Sequence, residues 1–287
     1  MFNARSREGR WWAALTTGLG IALISTALRA AETEEVVPDT EIWLKVRASF
    51  FGTRPIMPDV DAVIRLEAPY RAQDAATVPI AIRTGTGQSG GRYIQTLYLI
   101  VDKNPSPIAA IFRFTPDSGR ADIETRIRVE DYTPVRAIAE MSDGKLYSSA
   151  RFVKAAGGCS APAGKDIEAA LARVGRMKIH LDQSVAFGEP NLAQVMISHP
   201  NHSGLAMDQL TRLYVPAYFV RTINVTYAGM PVLSADVDFS ISENPNFRFY
   251  FVPREEGELK AEVVDTRDLR FEAMLAVRRG LSTRMSE

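Results

Sequence analysis

Ile123-Glu124-Thr125-Arg126-Ile127-Arg128-Val129 alternates side-chain character with a period of two. Ile123, Thr125, Ile127 and Val129 share one face, while Asp122, Glu124, Arg126 and Arg128 point the other way, a pattern that no amphipathic helix produces. The stretch therefore reads as a half-buried strand. Outward from it, residues 59–154 repeat the theme: Val60, Ala62, Ile64, Leu66 and Ala68 fall on one face, and Tyr93 to Val101, Ile108 to Phe114, Val135 to Met141 and Leu146 to Val153 read as further strands. They are separated by turn chemistry at Asn104-Pro105-Ser106-Pro107, Pro116-Asp117-Ser118-Gly119 and Ser142-Asp143-Gly144. About seven short strands at this spacing predict a sandwich.

A second block of the same kind runs from Met177 to Val277. Ala217 to Tyr227 and Pro231 to Phe239 bracket Ala228-Gly229-Met230, a hairpin loop whose glycine can take a positive φ. Phe247 to Val252, Glu258 to Asp265 and Leu269 to Val277 complete it. The expected fold class is all-β: two β-sandwich domains, residues 38–156 and 177–280, joined by a Gly-rich, cysteine-bearing hinge over 157–176. Within that hinge Ile167, Ala170, Leu171 and Val174 sit at helical spacing, with Asp166 placed to cap a short helix and Gly175 to end it.

Residues 1–30 are set apart from the fold. Arg5, Arg7 and Arg10 precede an apolar run from Trp11 to Leu28, and small residues follow, which is the order of an export signal peptide cut between Ala27 and Ala31. A run of this length also just suffices to span a membrane, so an uncleaved anchor is the alternative. The 287-residue chain has 34 basic and 34 acidic side chains; removing Arg5, Arg7, Arg10, Arg29 and Glu8 with the signal leaves 30 against 33. A neutral to mildly acidic chain has no basic footprint for nucleic acid. With 46% hydrophobic and 24% charged residues, it is also an ordinary globular composition, able to bury a sizeable core.

Motifs for catalysis and cofactors are weak. Gly85-Thr86-Gly87-Gln88-Ser89-Gly90 matches a dinucleotide fingerprint in letters, but Tyr93 onward alternates like a strand where that motif needs a helix, so no cofactor is assigned. His199, His202, Met207 and Asp208 could in principle ligate a metal, yet Asn201-His202-Ser203-Gly204 reads as a solvated polar loop. His180 falls on a strand and reads as structural. Asn224-Val225-Thr226 fits the glycosylation pattern but lies mid-strand. With no acid–base pair, triad or metal cluster, the chain does not read as an enzyme.

Cys159 is the only cysteine. An exported protein with one cysteine has either a reactive thiol or an intermolecular bond. Gly157, Gly158, Ser160, Ala161 and Gly164 leave no apolar periodicity that could bury it, which predicts an exposed, reactive thiol on a short loop anchored at both ends, with Lys154 and Lys165 flanking it.

These residues carry a resemblance. Val78-Pro79-Ile80, Lys103-Asn104-Pro105-Ser106-Pro107, Thr125-Arg126-Ile127-Arg128, Ala139-Glu140-Met141-Ser142-Asp143-Gly144-Lys145 and Gly157-Gly158-Cys159 are similar to SoxY. His199-Pro200, Pro216-Ala217-Tyr218-Phe219, the run from Val225 to Leu233, and Ser242-Glu243-Asn244-Pro245 are similar to SoxZ. The chain thus resembles a fused SoxYZ-like sulfur carrier. That resemblance implies two immunoglobulin-like sandwiches, a periplasmic location, and Cys159 as covalent carrier site on an arm of Gly157, Gly158 and Ser160. It further implies periplasmic sulfur-oxidation enzymes as partners; no cofactor or metal is assigned, as the motifs above suggest. The fused form looks like carriers associated with quinoprotein alcohol dehydrogenase systems, which suggests a pyrroloquinoline-quinone-linked partner. The other reading is a binding or assembly module in which Cys159 is incidental. One departure stands out: the SoxY arm ends its chain, whereas here Ser160-Ala161-Pro162 continues into a second domain.

Overall fold

In the computed structural model, which describes residues 37–58, 63–88, 91–161, 170–182, 184–208 and 211–279, the alternation around Thr125 is a strand, β6 (Ile123–Ile127). Ile123, Thr125 and Ile127 are buried and Arg126 is exposed, as the period of two requires. The first half of the chain contributes seven more strands: β1 (Ile56–Pro58), β2 (Ile64–Glu67), β3 (Val78–Thr84), β4 (Ile94–Val101), β5 (Ile108–Phe114), β7 (Thr133–Met141) and β8 (Leu146–Val153). The second half contributes β9 (Met177–Leu181), β10 (Asn191–Ile197), β11 (Val220–Tyr227), β12 (Met230–Val237), β13 (Asn246–Phe251), β14 (Gly257–Asp265) and β15 (Arg270–Val277).

Each half is a two-layer sandwich. In the first, β1-β8-β7-β4-β5 faces β2-β3-β6; in the second, β12-β11-β14-β15 faces β13-β10-β9. The sequence expectation of an all-β protein with two sandwiches holds, and the structure adds what joins them. Both layers run on from one half into the other: β5 pairs antiparallel with β12 from Leu233↔Phe114 to Val237↔Ala110, and β6 meets β13 at Glu124↔Arg248. The result is one nine-stranded and one six-stranded sheet with a shared core that includes Phe112 and Phe247, whose rings lie 6.0 Å apart across the junction.

The hairpin between β11 and β12 turns through Ala228 (φ 48) and Gly229 (φ 80), both left-handed, so the loop matches the strands' right-handed twist. Sequence reading names neither β1 nor β3 as a strand, and it misses a helix altogether. A helix, α1 (Glu41–Phe51), starts at Thr40, whose side chain accepts from the Trp43 N–H, and packs Trp43 and Phe51 on Ile100, Ile138 and Leu146. Its two buried residues are eight positions apart, too few to show as an apolar stripe. The signal segment and the start of the hinge helix, Asp166 and Ile167 included, lie outside the described residues; Ala170 and Leu171 are helical.

Candidate functional site

The arm leaves β8 and is bonded on one side by Glu130 of the first half and on the other by Ser203 of the second. Its glycines have different jobs. Gly157 sits at φ +79, a conformation L residues seldom adopt, while a Cβ on Gly158 would lie 2.0 Å from the Ala75 carbonyl oxygen and 2.7 Å from that of Val129. The pair therefore permits a turn and then a close backbone approach. Gly157 N–H donates to Glu130 O at 2.8 Å and Gly158 N–H to Val129 O at 2.9 Å, so the arm lies along the end of β6.

Glu130 holds the next two residues. Its Oε2 accepts from the Cys159 N–H (2.8 Å) and the Ser160 N–H (3.1 Å), and its Oε1 accepts from the Ser160 hydroxyl (2.9 Å). The carboxylate is itself positioned by Asn104, whose Oδ1 accepts from the Glu130 N–H while its amide donates to Arg128 O and Ser240 Oγ. The second half closes the other side: Ser203 Oγ donates to the Cys159 carbonyl, and Arg128 bridges the halves by donating to Gly158 O (3.3 Å) and Asn201 O (3.2 Å). Arg128 continues the alternation of β6 as expected, but the face it points to is covered by the arm and the Asn201 loop, leaving it only 7% exposed.

This arrangement corrects the expected exposed thiol. Cys159 is 1% exposed, and burial, helped by the neighbouring Glu130 charge and opposed by Arg128, pushes its pKa up to about 12. The physical reason is that polar groups and bare backbone bury it, so apolar periodicity in the arm's sequence carries no sign of it. Among the described residues no hydrogen bond engages Sγ; the clasp acts on the arm's backbone and on Ser160. Such bonds are each worth roughly 0.5–1.5 kcal/mol net, more where a carboxylate accepts, so the arm is held closed by a handful of interactions that a local opening can break. Of the two flanking lysines, Lys165 lies outside the described residues and Lys154 lies over the Tyr70 ring at 4.6 Å; the cation acting on the thiol among the described residues is Arg128.

The polar loop at 199–204 is also corrected, because it is not solvated. His199, Asn201 and Ser203 are buried. His199 Nδ1 accepts from the Asn201 N–H (3.1 Å), its Nε2 lies 3.6 Å from Asp265 Oδ2, and its ring stands edge-on to Tyr218 at 4.5 Å. Burial lowers its pKa to about 4 despite Asp265, so His199 is neutral at physiological pH. Asn201 in turn accepts from the Val220 N–H and donates to Ile241 O. The loop is thus tied into the second half and meets the arm through Ser203. No group of three or more His, Cys, Asp or Glu among the described residues is placed to hold a metal. His180 is on β9, half-exposed, beside Asp182. Gln88 donates to and accepts from Ile94 and leads into β4, so the glycine run opens a strand and not a helix. Asn224 lies within β11. Arg128, Glu130, Asn201 and Ser203 were not singled out by sequence reading as partners of Cys159; they lie 29 to 44 positions from it in the chain, beyond any local pattern.

Residues 47–159 match the family model of the sulfur oxidation protein SoxY, and residues 178–276 match that of the sulphur oxidation protein SoxZ. No curated protein matches the chain. Among solved structures, similarity extends to the sulfur carrier protein SoxY from Chlorobium limicola f thiosulfatophilum, at 25% identity over 39% of this chain and 94% of that one, with a TM-score of 0.33. A superoxide reductase (neelaredoxin) from Ignicoccus hospitalis is similar at 15% identity over 34% of this chain and 94% of that one, with a TM-score of 0.30.

Proposed function

The chain is a fused SoxYZ-like protein, a SoxY domain followed by a SoxZ domain, which makes it a sulfur-oxidation carrier and not a catalyst; from that premise we propose that Cys159 holds the cargo covalently and presents it to partner enzymes in the periplasm. The supporting observation is that the chain's only cysteine is also the last residue of the SoxY match and sits on a Gly-Gly arm clasped through its backbone, with the sulfur uninvolved. Closed, the thiol is protonated and shielded. Opened, it regains ordinary thiol reactivity and can take a sulfur group by exchange: the thiolate attacks a sulfane sulfur, a new S–S bond forms, and the donor's other sulfur leaves with the electron pair, with no net oxidation.

The partner class we propose is sulfur-oxidation enzymes. The link to a quinoprotein alcohol dehydrogenase system is part of the same proposal and rests on the resemblance of the fused form alone; no residue described above encodes it. One observation favours a second reading, since a cysteine that is 1% exposed is what an incidental core residue looks like. The two are separated by isolating the protein from its native compartment without reductant and measuring intact and peptide masses around Cys159. A reducible mass addition supports carriage. An unmodified Cys159, together with full cellular function in Cys159→Ser, establishes the binding-module reading.

A further inference from the structure

A short chain of hydrogen bonds links the second half to the arm, and one of its members is a titratable nitrogen. His199 Nδ1 accepts from the Asn201 N–H at 3.1 Å, which places the ring's own proton on Nε2, toward Asp265. Asn201, held at φ 47, passes the connection on: its carbonyl accepts from Arg128 Nη2, while Arg128 Nη1 donates to Gly158 O. Two residues further, Ser203 Oγ donates to the Cys159 carbonyl. The Asn201 and Ser203 contacts therefore both start from the loop that His199 anchors. The groups around the ring offer the Nδ1 side no other acceptor. Asp265 lies 3.6 Å from Nε2, and its Oδ1 accepts from the Arg267 and Leu269 N–H groups. Tyr218 stands edge-on to the ring and is itself covered by the Arg267 guanidinium. His202, on the same loop, has its pKa lowered by burial and by Arg128 and Arg267, and Asn244 bonds the His199 backbone.

We propose that protonation of His199 unlatches the arm, so that acid raises the fraction of the protein in which Cys159 is presented. The inference rests on the carrier reading and adds how that same site is regulated. A second proton on the ring goes to Nδ1, because Nε2 already bears one. There it faces the Asn201 N–H, donor against donor across 3.1 Å, and the bond that held the loop becomes a repulsion. Asp265 favours the imidazolium from the far side of the ring without mending the near side. Asn201 then leaves its left-handed conformation, Arg128 loses one of its two carbonyls, and Ser203 loses its aim at the arm. In the released loop the imidazole meets water and is stabilised as the cation, so the proton and the closed arm compete. The sign follows from burial: the closed state lowers the His199 pKa to about 4 from 6.5, so opening is favoured as pH falls through that window.

Hydrogen–deuterium exchange of the full chain at pH 7 and at pH 5, corrected for the intrinsic exchange rate and read by mass spectrometry, tests this. The amides of Gly158, Cys159 and Ser160 report the arm, and those of β7 report opening of the whole fold. Protection of the arm amides is expected to fall about 20-fold between pH 7 and pH 5 while staying below that of β7 at both. Glu130 is the other titratable group on the arm, so two variants divide the response between them. Glu130→Gln should keep most of the fall. His199→Gln, whose amide oxygen can accept from the Asn201 N–H without titrating, should reduce it to less than about 3-fold. Arm protection that does not change with pH in the wild type overturns the proposal without recourse to any variant, and so do arm amides that exchange only together with those of β7. A fall that survives in His199→Gln, or that disappears in Glu130→Gln, overturns it as well. If His199→Gln does not fold, the wild type and Glu130→Gln decide the matter. Exchange reads the arm whether or not it carries anything, so the absence of a native adduct on Cys159 counts against carriage alone.

Discussion

Glu130 grips Cys159 by its backbone: the carboxylate Oε2 lies 2.8 Å from the Cys159 nitrogen, and the sulfur takes no part in that contact. The group that holds the arm is therefore separable from the group that reacts. Removing one need not disable the other.

Glu130→Ala should open the arm. It deletes three hydrogen bonds to a carboxylate, of which one or two net losses suffice to raise the open population roughly 10–100-fold. Alkylation of Cys159 by iodoacetamide at pH 7.5 is expected to accelerate by that factor if the arm closes faster than it is labelled. A rate equal to that of the wild type would show that Glu130 is not the clasp.

The two glycines should respond unequally. Gly158→Ala places a Cβ 2.0 Å from the Ala75 carbonyl oxygen, a backbone atom that cannot turn aside, so the arm cannot dock and the thiol should be labelled at the rate of an unfolded-chain thiol. Gly157→Ala meets only the Ser160 hydroxyl at 3.9 Å and is disfavoured by its φ of +79, for about 1 kcal/mol. Paired labelling kinetics give the order directly: Gly158→Ala fastest, Gly157→Ala intermediate.

Alkali should loosen the fold through the thiol. The native pKa lies near 12 and the unfolded one near 9, so between these values the native state holds a proton that the unfolded state has lost, and stability falls as pH rises. The loss is about 1 kcal/mol between pH 8 and pH 10. Urea denaturation at both pH values should show this decrement in the wild type, over and above whatever Cys159→Ser shows.

Acid acts through His199 with the opposite sign. Its native pKa near 4 lies below the ordinary 6.5, so in that window the unfolded state binds the proton and stability falls as pH falls, by about 2 kcal/mol between pH 7 and pH 5. His199→Gln should be less stable at pH 7 but flatter in this window, as read from denaturant midpoints. A wild-type profile as flat as the variant's would place the acid-sensitive group elsewhere.

Much of the fold is legible in the chain because it is local. The alternation in β6, the Ala228-Gly229 turn and the strand following Gln88 each declare themselves within ten residues. The pairing of β5 with β12 does not, since Ala110 and Val237 are 127 positions apart and edge pairing leaves no mark in either strand. α1 is hidden by having only Trp43 and Phe51 buried. At the site, Cys159 and its glycines are visible as a motif, but flexibility and close approach are both written with glycine. Only the position of the Ala75 carbonyl shows that Gly158 serves the second.

Continuity of both sheets also means that neither half has a finished boundary at the junction. Cut there, each would present two open ladder edges, with β5 and β6 bare on one side and β12 and β13 on the other, and exposed edges of this kind invite pairing with foreign strands. Covalent fusion keeps the mating edges at a fixed one-to-one ratio and within reach from synthesis onward, so the chain never depends on finding a free counterpart in a dilute compartment. In this protein the tether guards against misassociation as much as it carries the arm.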